Sequence, residues 1–156
     1  MIVIGIDPGL ARVGYGVIAV RNRQPVPLCY GCIESGRDER TPERLLRIYT
    51  GMTGLFTKYP PGHIAIEKLF FSRNITSAMG VSEARGVLLL LAEQQKIPVT
   101  EYTPNQVKQA ITGSGKADKR QMQEMIMRLL GLTEIPRPDD AADALSIALC
   151  HIHSMR

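Results

Sequence analysis

Three apolar runs, residues 2–7 (IVIGID), 13–20 (VGYGVIAV) and 28–34 (LCYGCIE), crowd the start of the chain. The gaps between them are too short to hold a helix. Strands in such close succession pair as an antiparallel meander, and the first stops at the turn pair Pro8-Gly9. The rest of the sequence must then cover that sheet. Thr41 reads as a helix N-cap with Pro42 at the first helical position, opening a helix to about Tyr59. Pro60-Pro61-Gly62 ends it, and residues 63–67 (HIAIE) form a fourth strand. A long helix is expected over about 75–95 and a fifth strand from Ile97 to Tyr102. Thr103 and Gln106 fit a capping box for a short helix. Gly113-Ser114-Gly115 is a loop, Asp118 and Gln121 cap a helix to about Leu130, and Asp139 begins the last helix. This order describes one α/β domain: a mixed five-stranded sheet with helices on its faces.

Apolar residues at 44% and charged residues at 22% exclude a disordered chain. The densest apolar run, Val87 to Ala92, is too short to cross a bilayer. The first residues lack a basic leader and a cleavage site. No membrane role and a cytoplasmic location are therefore expected. The net charge of +4 leaves a surface that attracts polyanions. Three cysteines, an odd number, argue against a disulfide framework. Cys29 and Cys32 sit on a strand and point to opposite faces, so they read as small buried side chains. Cys150, His151 and His153 read as a helix end with polar or cationic tips.

The chemistry lies in four acids. Asp7 ends the first strand and Glu67 the fourth. If those strands are parallel neighbours, both carboxylates leave the sheet at its carboxyl edge, where α/β proteins place their sites. Asp140 and Asp143 share one helical face, and Ala141, Ala142 and Ala144 let that helix pack closely. Four carboxylates suit a hard cation, and without one they would repel. Each also has a plain alternative: Asp7 as a turn residue, Glu67 as a solvated strand end, Asp140 and Asp143 as partners of the helix dipole. Asp139 reads as a cap. Gly14-Tyr15-Gly16 imitates a dinucleotide fingerprint but continues a strand, and Gly115-Lys116 imitates a phosphate loop without its first Gly or its Ser/Thr.

The motifs GIDPG (5–9), GYGV (14–17), AIE (65–67), ARGV (84–87), QVKQ (106–109) and DAADAL (140–145) occur in order. Together they resemble the bacterial RuvC Holliday-junction resolvases over nearly the whole chain. The resemblance implies an RNase H-like fold and paired cuts across four-way junction DNA. It implies a homodimer working beside a branch-migration helicase complex. It assigns Asp7, Glu67, Asp140 and Asp143 to catalysis with two Mg²⁺, for which Mn²⁺ can substitute. It makes Phe70 or Phe71 the ring that stacks on a base, with Arg73 close by. Lys108 and Lys119 match basic residues near the scissile phosphate, Lys119 in a catalytic role, and Lys116 is counted with them as DNA-binding. A run of four leucines, Leu88 to Leu91, covers more than one helical face and suits a twofold contact. Three rivals remain: a nuclease of the same fold acting on RNA or linear DNA, an actin-like or sugar-kinase-like ATPase, and a module that binds junctions without cutting.

Overall fold

The computed structural model describes residues 1–69 and 75–156. Its strands are β1 (Ile2–Asp7), β2 (Arg12–Arg21), β3 (Gln24–Glu34), β4 (His63–Glu67) and β5 (Val99–Tyr102). Its helices are α1 (Thr41–Lys58), α2 (Ile75–Gln94), α3 (Pro104–Thr112), α4 (Lys119–Leu129) and α5 (Asp139–Ser154). The strands form one sheet in the order β3-β2-β1-β4-β5. The meander β1–β2–β3 is antiparallel, while β4 runs parallel to β1 and β5 parallel to β4. The expected mixed five-stranded sheet is therefore present.

Strand side chains alternate between faces, so a central strand needs apolar residues on both. β1 meets that demand. Val3 joins a core with Leu145, Ala148 and Leu149 of α5, Ile111 of α3 and Ile126 of α4. Ile4 and Ile6 join the opposite core with Ile48, Met52 and Phe56 of α1 and Ala84, Leu88 and Leu91 of α2. Helices thus cover both faces, as the sequence implied.

Local readings shift in three places. Thr41 is already helical, and Arg40 holds the cap position. An arginine side chain has no acceptor; instead the Glu43 carboxylate accepts from Arg40 N at 3.3 Å and Nε at 2.8 Å. β3 starts earlier than expected and includes Pro25 and Pro27. It is an edge strand, where a missing N–H costs no ladder bond. For the same reason Cys29 and Cys32 are only half-buried, not buried; both are free thiols. At the end of α5, His151 is no cationic tip. It is buried, stacked on His63 with ring centroids 4.0 Å apart. Its Nδ1 lies 2.7 Å from the Tyr102 hydroxyl. Burial first, and His63 second, hold its pKa down to about 4.

α2 is long and apolar enough to cross a membrane by length and composition. One stripe of it, Ala84, Leu88, Leu91 and Ala92, is buried against the sheet, at the spacing of a core-facing helix. Ile75, Met79 and Leu90 are left 73%, 60% and 56% exposed.

Candidate active site

The site is built where three chain segments converge. β1 and β4 pair in parallel up to Ile6 and Ile66, so Asp7 and Glu67 emerge side by side from the sheet. α5 then lays its first turn across the β1–β2 end. This approach is closer than side chains normally permit. Gly5 and Gly16 pair across the β1–β2 ladder, and Gly14 pairs with Asp7. A methyl group on Gly14 would overlap the Asp140 carbonyl, and one on Gly5 the Ala144 carbonyl. Ala141, Ala142 and Ala144 supply the flat side of the helix and are buried there. Glycines in a strand mark such a close approach. Gly14-Tyr15-Gly16 imitates a nucleotide motif because it shares this one property, the absence of a Cβ.

The approach gathers Asp7, Asp140 and Asp143, whose carboxylates each offer an oxygen within 4.8 Å of the others. Glu67 joins by a side-chain hydrogen bond with Asp7. Two carboxylates can share such a bond only if one is protonated. Burial, then the charges of Glu67 and Asp143, raise the Asp7 pKa to about 9. Burial raises Glu67 as well, against the hydrogen bond from Asp7. Asp143 rises to about 6, through lost hydration and then through Glu67. An all-oxygen, mutually repelling donor set demands a positive charge. Protons supply it in the free protein, and a hard divalent cation fits the same donors.

Cations frame the cluster. Arg12 at the start of β2 lies 3.4 Å from Glu34 and 4.0 Å from Asp140. Lys119 and Lys108 line a cleft of about 300 Å³ together with Glu67, Asp143 and Gln123. The Lys119 ammonium donates to Asp139 at 2.5 Å, and Gln123 donates to the other Asp139 oxygen at 3.2 Å. Asp139 therefore caps no backbone group; Pro138 takes that position. Lys116 lines neighbouring grooves with Ser114, away from this cleft. Phe70, Phe71 and Arg73 lie outside the described residues. Sequence reasoning missed Arg12, Asp139 and the three glycines as builders of the site. The period-two glycines within a strand were the available signal.

The family model for crossover junction endodeoxyribonuclease RuvC matches residues 3–151. The chain belongs to the RuvC family. It is 51% identical over 155 residues to the crossover junction endodeoxyribonuclease RuvC of Desulfitobacterium hafniense, covering 99% of this chain and 94% of that one. The RuvC of Pseudothermotoga lettingae is 50% identical over 151 residues, covering 97% and 93%. A solved structure of T. thermophilus RuvC in complex with Holliday junction substrate is 38% identical, with a TM-score of 0.95 over 100% of this chain and 95% of that one. The RuvC fold here is RNase H-like, as the motifs implied, and the chain is a metal-dependent endodeoxyribonuclease of the crossover-junction class.

Proposed function

We propose that this chain resolves four-way DNA junctions by paired, symmetric nicks, using two Mg²⁺ ions held by Asp7, Glu67, Asp140 and Asp143. The observation that carries this reading is the crowding of carboxylate oxygens at the first turn of α5, on a chain of the RuvC family. Two divalent ions held by these carboxylates would supply an activated water and neutralise charge on the leaving 3′ oxygen, and Mn²⁺ would serve in place of Mg²⁺. Asp7 interacts with Glu67, Asp143 and Asp140 alike, so it would be the carboxylate best placed to serve both ions. Lys119 and Lys108 line the same cleft as Glu67 and Asp143. There Lys119 stabilises charge developing on the phosphate. Lys108 and Lys116 extend the DNA path. Phe70 or Phe71, with Arg73 beside them, provides the ring that stacks on an unpaired base at the crossover. One domain carries all of this.

A four-way junction has twofold symmetry, so paired nicks need two copies of the site. The exposed apolar residues of α2, Ile75, Met79 and Leu90, support a homodimer built through that helix. Work beside a branch-migration helicase in the cytoplasm completes the reading, on family grounds alone.

Asp7→Asn and Asp143→Asn test the assignment. Each variant is expected to bind a four-way junction with parental affinity and to leave it uncut in Mg²⁺. Cleavage by either variant at the parental rate refutes it. Junction, duplex and RNA–DNA hybrid substrates cut side by side separate this function from that of other nucleases of the fold.

A further inference from the structure

Arg85 is an expensive residue to keep where it is. It sits in the middle of α2, one position past the buried Ala84. Its side chain is only 14% exposed. Helical side chains lean toward the helix N-terminus. In a β4–α2–β5 crossover that direction leads back to the carboxyl end of β4. There Arg85 Nε donates to the backbone carbonyl of Glu67 at 3.3 Å. Its Nη2 lies 2.6 Å from Glu101 Oε1 on β5. That second contact lacks hydrogen-bond alignment, so it is an ion pair and not a directed bond. Glu101 is 41% exposed, so it only partly offsets the cost of removing the guanidinium from water. An aliphatic side chain would fill the same space more cheaply. What an aliphatic chain lacks is a donor for the Glu67 carbonyl.

Glu67 is the last residue of its strand, and the next described residues lead directly out of the sheet. On the β5 side the ladder is closed by Lys68 N donating to the Tyr102 carbonyl at 2.8 Å. We propose that Arg85 is a positioning residue for the metal site: by holding the Glu67 carbonyl and pairing with Glu101, it fixes the strand end from which the Glu67 carboxylate reaches Asp7 and the cations. The inference rests on Glu67 being a metal ligand, as read above. Groups that orient a metal ligand without touching the ion change metal affinity by about 10- to 100-fold when removed.

The experiment compares the parent with Arg85→Met, Arg85→Lys, the double variant Arg85→Met/Glu101→Met, and Glu67→Gln. Mn²⁺ binding is followed by electron paramagnetic resonance of the free ion, with no DNA present. Junction cleavage is followed as a function of Mn²⁺ concentration. Arg85→Met is expected to raise the Mn²⁺ concentration at half-saturation about 10-fold in both measurements, with junction affinity in Ca²⁺ changed less than about twofold. Arg85→Lys is expected to recover part of that loss. The double variant removes both charges and so keeps the melting temperature near that of the parent, yet it retains the Mn²⁺ shift. A folded double variant with parental Mn²⁺ half-saturation overturns the proposal and leaves Arg85 a structural ion pair. Glu67→Gln separates the two levels. If it binds Mn²⁺ like the parent, the assignment of Glu67 itself fails. If it loses Mn²⁺ while the Arg85 variants do not, only the positioning role fails.

Discussion

Asp7 and Gly14 face each other across the β1–β2 ladder, and that pairing sets the acid at the end of β1 beneath the first turn of α5. Gly14 has no Cβ, and the Asp140 carbonyl occupies the space where one would be. The closeness of Asp140 and Asp143 to Asp7 is thus decided by a residue that carries no functional group.

Gly14→Ala should therefore damage the site through the backbone. Overpacking of this kind costs about 1–3 kcal/mol, and lifting α5 separates the aspartates from Asp7. A melting temperature lowered by several degrees and a cleavage rate reduced more than about 100-fold are expected, since small misplacements of catalytic groups cost that much. Thermal denaturation and single-turnover cleavage check both; parental cleavage by the Gly14→Ala variant would show that the close contact is dispensable.

The acid cluster makes metal-free stability depend on pH with a definite sign. The folded-state pKa of Asp7, about 9, stands far above its ordinary 3.8. Its protonated form favours the fold fully below pH 3.8, and that contribution is lost as pH rises toward 9. His151 acts oppositely at the acid end. Its pKa of about 4 lies below the ordinary 6.5, so stability falls as pH drops from 6.5 to 4. Each slope approaches about 1.4 kcal/mol per pH unit. Between pH 4 and about 6 Asp143, raised to about 6, adds a second slope of the same sign as that of Asp7, so His151 offsets only part of the loss; above 6.5 the His151 slope is gone and that of Asp7 persists. Metal-free protein should melt lower at about pH 8.5 than at about pH 6.5, and added Mg²⁺ should restore more stability at the higher pH. Asp7→Asn should raise the metal-free melting temperature and flatten this dependence. Melting curves at the two pH values decide it.

Lys119 and Asp139 form an exposed pair, with side chains 61% and 58% accessible. Solvent and salt screen such pairs, so they add little to stability. Asp139→Asn should leave the melting temperature within about two degrees of the parent. Lys119→Met should lower the cleavage rate about 100- to 1,000-fold, the usual cost of losing one group that stabilises transition-state charge, with junction binding largely kept. Single-turnover rates at saturating enzyme distinguish this from a binding defect.

Much of this was legible in the sequence because the relevant signals are local. Asp7 and Glu67 stand where strands stop, and DAADAL spaces two acids on one helical turn among alanines. The capping boxes of α3 and α4 were readable for the same reason: Thr103 with Gln106 and Asp118 with Gln121 are found as expected. What stayed hidden depends on partners distant in the chain. Gly5, Gly14 and Gly16 act through the helix that arrives more than 120 residues later. Lys116 and Lys119 look equivalent in sequence, yet Asp118 starts a helix between them and sends them to different grooves. His151 looks like a polar helix tip until β4 and β5 bring His63 and Tyr102 against it.

The most direct measurement is a crystal structure of the protein soaked with Mn²⁺, read by anomalous scattering at the manganese edge. Two peaks about 4 Å apart, enclosed by carboxylate oxygens of Asp7, Glu67, Asp140 and Asp143 with Asp7 between them, are predicted. Manganese bound elsewhere with this cluster vacant, or held there without Glu67 and Asp140, would contradict the account.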